Sequence, residues 1–100
     1  MSRGKDPLEK VIEKKVCDYA TGLGFVQYKF TSPQRRSVPD RLFISPRGVV
    51  FFVEFKRLGE KPTLAQATEH IKIKAKGVDV YVIDNVEDGK NLIDVVLNLK

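Results

Sequence analysis

A single cysteine, Cys17, stands among the 100 residues of this chain. No internal disulfide can form, and a reducing compartment is the expectation. No apolar run approaches the ~18 residues of a membrane-spanning helix. The opening Met1-Ser2-Arg3-Gly4-Lys5-Asp6 has no apolar stretch and so does not read as a secretory signal. Repeats, linkers and low-complexity segments are also missing. These absences leave one globular domain over residues 1–100, with no membrane partner expected.

With 42% hydrophobic residues the chain can bury a modest core. Lysine and arginine number 18 against 13 aspartates and glutamates, a net charge of +5, which fits a polyanionic partner. The most apolar run is Val49-Val50-Phe51-Phe52-Val53-Glu54-Phe55-Lys56, rich in valine and phenylalanine, and it reads as a buried central strand. Its last turn of sequence is anomalous. Residues i and i+2 of a strand share a face, so Glu54 and Lys56 emerge side by side. A lone charge there costs several kcal/mol. A carboxylate and an ammonium sharing one site, above all with a metal ion, resolve that cost. A catalytic centre is therefore expected at this strand end.

Residues 8–22 read as a helix, with Asp6 as N-cap and Pro7 in the first turn. Leu8, Ile12, Val16, Tyr19 and Leu23 form its apolar stripe. At about 100° per residue, Glu9 lies roughly 60° from the stripe's centre and Glu13 about 100°, so Glu9 is expected nearer the buried side. Both also fit a solvated flank. Residues 25–30 look like a strand. The polar stretch 31–38 reads as a loop, in which Arg35, Arg36 and Ser37 suit phosphate contact, as does Lys29 before it.

Arg41-Leu42-Phe43-Ile44 reads as a short strand, and Ser45-Pro46-Arg47-Gly48 as a turn, so an antiparallel hairpin with the central strand is expected. If the turn closes near residues 44 and 49, positions 39–40 lie opposite 53–54 within a residue. Directly opposed side chains sit about 5 Å apart. Asp40 and Glu54 thus converge at the hairpin's open end. A hard divalent cation with oxygen ligands relieves their repulsion.

A second helix is expected from about Leu64 to Lys76, with Thr63-Leu64-Ala65-Gln66 as a capping box. Leu64, Ile71 and Ala75 mark its apolar side. Gln66, His70 and Ile73 share another face, to be covered by the site, a partner subunit or DNA. His70, the only histidine, reads as a bystander, and Lys72, Lys74 and Lys76 as a solvated face. Residues 78–84 read as a further strand, running parallel to the central one. Residues 85–89 read as a turn and 91–99 as a closing helix. The succession α-β-β-β-α-β-α is that of an α/β fold, a mixed sheet flanked by helices.

Pro39-Asp40 followed by Glu54-Phe55-Lys56 resembles the motif of the PD-(D/E)XK nuclease superfamily. With Glu9 on a preceding helix and Gln66 at the start of a following one, the chain resembles its VRR-NUC branch over nearly all 100 residues. The resemblance implies a restriction-endonuclease-like αβββαβ core, in a minimal free-standing form of the kind found in phages and bacteria, working in the bacterial or phage-infected cytoplasm. It implies that Asp40, Glu54, the backbone carbonyl of Phe55 and Glu9 hold Mg²⁺ or Mn²⁺, with Glu13 in reserve. Lys56 matches the catalytic lysine, and Gln66 the glutamine that steadies Lys56 or the water. Arg35, Arg36, Ser37 and Lys29 would hold the DNA backbone.

Small free-standing members resemble Holliday-junction resolvases, so a homodimer acting on branched DNA is implied. The competing reading is a nucleic-acid-binding module with the nuclease fold but no catalysis.

Overall fold

A computed structural model describes residues 7–99, so the expected N-cap at Asp6 lies outside the described residues. The elements run α1 (Pro7–Gly22), β1 (Val26–Lys29), β2 (Arg41–Ile44), β3 (Val50–Phe55), α2 (Leu64–Lys74), β4 (Asp79–Ile83) and α3 (Val86–Leu97). The strands form one sheet in the order β1-β2-β3-β4. β1 and β3 flank β2 antiparallel, while β4 lies parallel to β3, so the sheet is mixed as expected.

The turn between β2 and β3 fixes the register on which the site depends. Gly48 there has φ of 87°, a left-handed conformation that a Cβ disfavours. The Ser45 hydroxyl accepts from the backbone N–H of Arg47 at 3.2 Å and of Val49 at 3.0 Å. Pairing then runs from Ile44↔Val50 to Arg41↔Val53. One step further, Asp40 meets Glu54.

Alternation divides the sheet into two unlike faces. On one, Phe43, Phe51, Val53 and Phe55 are buried and pack with Ile12, Val16, Cys17 and Ala20 of α1 and Ile93 and Val96 of α3. Phe51 organises this core. It stacks on Phe43 at 5.2 Å between ring centroids and meets Phe25 and Tyr81 edge-on at 6.3 and 5.8 Å. The opposite face carries Glu54, and α2 lies over it, packing on β4 and reaching Glu54 of β3.

Three expectations shift. The buried face of α1 is Ile12, Glu13, Val16, Cys17 and Ala20, while Leu8 is 62% exposed. Ile12 and Val16 of the expected stripe are in the core and Tyr19 and Leu23 pack against it, but the buried face is turned toward Glu13, Cys17 and Ala20 and away from Leu8. On α2, Leu64 and Ile71 are exposed at 85% and 67%, and Ala75 is exposed too, so the expected apolar side faces solvent. The covered face is that of His70, because polar groups at the end of β3 receive it.

Residues 86–89, expected as a turn, open α3 instead: Asn85 is its N-cap, its side-chain oxygen accepting from the Asp88 N–H at 2.8 Å. Gly89, expected within that turn, is a contact residue. A Cβ there would lie 2.4 Å from Cγ2 of Val16, which is itself fully buried. The overpacking from Gly89→Ala costs about 1–3 kcal/mol, only partly offset by a gain in helix propensity of up to ~1 kcal/mol. A net loss of stability is expected in urea melts, and adding Val16→Ala should cost less than its own effect in a double-mutant cycle.

Candidate active site

β2 begins and β3 ends at the same edge of the sheet, and the charged residues gather there. Glu54 is 2% exposed and Lys56 9%. They share a face, with Lys56 Nζ 3.8 Å from Glu54 Oε2. The Lys56 N–H donates to the Ile83 carbonyl at 2.9 Å, which carries the β3–β4 ladder past the strand's end. The site therefore lies at the carboxyl ends of two parallel strands, the usual place for ligands in open α/β sheets.

Asp40 is fixed from both sides. Its Oδ2 accepts from the Phe55 N–H at 2.8 Å, and its carbonyl accepts from the Phe30 N–H at 2.9 Å. Pro39 beside it is fully buried. One carboxylate is thus latched to the backbone segment that bears the other. Beyond Lys56, Asp84 accepts from the Gly59 N–H at 2.9 Å and from the Asn85 side chain at 2.8 Å. These bonds, the Gly59 one foremost, hold the Asp84 carboxyl below its ordinary range and tie down the loop after the site.

α2 adds two side chains. Gln66 closes the expected capping box: its N–H donates to the Thr63 hydroxyl at 3.1 Å, and its Oε1 accepts from the Thr63 N–H at 2.9 Å. The same side chain donates through Nε2 to Glu54 Oε2 at 3.1 Å. Helix capping and contact with the site, alternatives in the sequence, coexist in one residue. Its recorded partner is Glu54, not Lys56.

His70, one helical turn later, is 6% exposed, with Nε2 3.5 Å from Glu54 Oε1. Burial lowers its pKa from the ordinary 6.5, Lys74 and Lys56 lower it further, and Asp40 opposes them. These influences favour the neutral imidazole. Expected as a bystander on a covered face shared with Gln66 at i, i+4, His70 lies beside Glu54.

The first-helix acids are also rearranged. Glu13, not Glu9, is the buried one, at 5% exposure, and its Oε2 is 2.7 Å from Arg41 Nε. Arg41 points to the α1 face of the sheet, opposite Glu54, so Glu13 is occupied away from the site. The rotated packing of α1 explains the exchange. Glu9 lies in the first turn of α1 and is half-buried.

The basic loop leans on α2. Arg35 Nη1 lies 2.6 Å from Glu69 Oε2, with Arg35 still 55% exposed. Arg35, Arg36 and Ser37 form one wall of a groove of about 800 Å³, facing Leu64 and Thr68. A smaller cleft, about 250 Å³, joins Lys29, Arg35 and Arg36 to Asp40.

Among the described residues no three His, Cys, Asp or Glu side chains form a closed metal cage. The donors at hand, two adjacent carboxylates and the Phe55 carbonyl, are all oxygen and make an open set. Such a set fits a hard cation that keeps waters or takes substrate oxygens, and not a closed structural zinc site.

No protein-family model matches the chain. A relative from Acyrthosiphon pisum secondary endosymbiont phage 1, described as "Putative nuclease p44", is 47% identical over 77 residues, spanning 77% of this chain and 83% of the relative. A solved structure described as a VRR_NUC domain aligns with a TM-score of 0.82 at 31% identity, over 89% of this chain and 97% of that one.

Proposed function

The chain belongs to the VRR-NUC family of nuclease domains, and from this we propose that it is a Mg²⁺- or Mn²⁺-dependent endonuclease that cuts branched DNA, four-way junctions foremost, as a homodimer. The observation that carries the reading is the convergence of Asp40, Glu54 and Lys56 at one sheet edge, joined by a cleft to Lys29, Arg35 and Arg36.

Asp40, Glu54 and the Phe55 carbonyl would hold the ion, with Glu9 approaching from α1. A hard divalent ion supplies Lewis-acid polarisation of the phosphoryl oxygen and a lower pKa for a water nucleophile. The chain's own contribution is placement. The Asp40–Phe55 bond keeps the two carboxylates in register. Lys56 brings a cation and three N–H donors beside them, able to orient the attacking water and to stabilise charge building on the phosphate. Gln66 braces Glu54 from α2. Lys29, Arg36, Ser37 and the exposed part of Arg35 contact phosphates, which favours recognition of DNA shape over base sequence.

Exposed apolar side chains support a second copy as partner: Leu64 and Ile71 on α2, and Val26, Tyr28 and Val50 on the open part of the sheet. No helix among the described residues is long and apolar enough to cross a membrane.

The test is cleavage of labelled four-way junction, flap, splayed and linear duplex DNA with Mg²⁺ or Mn²⁺, beside gel filtration at micromolar concentration. Metal-dependent cutting, fastest on the junction, and a dimeric elution volume are expected. No cutting of any substrate counts against catalysis, equal cutting of all against branch selectivity, and a monomer against the paired form. In the same assay Arg36→Ala should weaken binding of every sequence alike and reduce the salt slope by about 1.

A further inference from the structure

The buried histidine on α2 is not accounted for by the proposed chemistry. His70 Nε2 has no hydrogen-bond partner among the described residues, and a buried polar group left so costs about 1–3 kcal/mol. Its nearest recorded acceptor is Glu54 Oε1 at 3.5 Å, a little beyond hydrogen-bond length. The other oxygen of the same carboxylate already accepts from Gln66 Nε2 at 3.1 Å. Gln66 and His70 stand at i and i+4, one above the other on the covered face of α2. Two nitrogen-bearing side chains from one helix thus meet the two oxygens of one buried carboxylate.

We infer that His70 is a positioning residue, whose Nε2–H donates to Glu54 Oε1 and, with Gln66, clamps Glu54 at both oxygens in the orientation that binds the divalent ion. Only one neutral tautomer serves. With the proton on Nδ1, the Nε2 lone pair would face the carboxylate's lone pairs, which is repulsive; with the proton on Nε2, the contact closes by a small movement of the ring. Partners that orient a ligating group typically change metal affinity by 10–100-fold when removed. The clamp also gives α2 a reason for its position: its covered face is chosen by Gln66 and His70, while Leu64 and Ile71 are left outside.

The inference rests on the proposed metal role of Glu54, and the experiment separates the two. Mn²⁺ binding is measured by calorimetry on wild type, Glu54→Gln, His70→Phe and His70→Gln, with circular dichroism to confirm folding. The His70 tautomer is read from ¹⁵N–¹H correlations in the metal-free protein. The clamp predicts the Nε2–H tautomer and Mn²⁺ affinity lowered about 10–100-fold in His70→Phe. His70→Gln, whose amide nitrogen falls near the position of Nε2, should bind within a few-fold of wild type. Wild-type affinity in His70→Phe, weak binding in a folded His70→Gln, or an Nδ1–H tautomer overturns the clamp alone. A wild-type protein that takes up no Mn²⁺, or a Glu54→Gln variant that binds it equally well, overturns the metal role of Glu54 and the clamp with it.

Discussion

A Lys56→Met variant is expected to cleave DNA about 10²–10⁴-fold more slowly than wild type while still binding it within a few-fold. In barrier terms this is about 2.7–5.5 kcal/mol. The reasoning begins with burial. Lys56 is 9% exposed, at the end of a strand whose neighbours are apolar. A lysine meant only to hold DNA would extend into solvent, as Lys29 does. Instead its ammonium lies 3.8 Å from Glu54, too long for a strong hydrogen bond and close enough for mutual charge support. Methionine keeps much of the length and packing of the stem and removes the charge, so the loss falls on the chemical step. Single-turnover cleavage on a saturating concentration of DNA separates the two effects. A large rise in KM with an unchanged rate would assign Lys56 to binding.

A second large effect is expected in the core. Phe51→Ala should destabilise the domain by about 3–5 kcal/mol. Phe51 is 1% exposed and its ring meets Phe25, Phe43 and Tyr81, joining the segments on either side of β3. A domain of this size has roughly 5–15 kcal/mol of total stability, and each kcal/mol shifts Tm by about 4–8 °C. A fall in Tm of ~12 °C or more is therefore predicted by calorimetry. Because Phe51 faces α1 and α3 while Glu54 faces α2, cleavage well below the lowered Tm should stay near that of wild type.

Much of this was legible in the chain because the site depends on local rules. Turn residues 45–48 set the hairpin register, and register brought Asp40 to Glu54. The period of a strand put Glu54 and Lys56 on one face. What escaped depends on the exact helix rotation, which a stripe of large apolar residues reports only approximately. Val16 of α1 packs closely on Gly89 of α3, Cys17 and Ala20 are buried on the same face, and Glu13 is turned inward to Arg41. Gly89 and Asn85 read locally as turn chemistry, yet one is a close-packing position and the other a helix cap. On α2 the bulky Leu64 and Ile71 pointed to the wrong side, because the helix is docked by polar side chains on a buried carboxylate.

The most direct measurement is anomalous diffraction from a crystal soaked in Mn²⁺. A peak within coordination distance of Asp40, Glu54 and the Phe55 carbonyl is predicted, with Lys56 beside it, and it should vanish in Asp40→Asn. Soaked crystals with no peak between Asp40 and Glu54, and those side chains turned to solvent, would contradict the account.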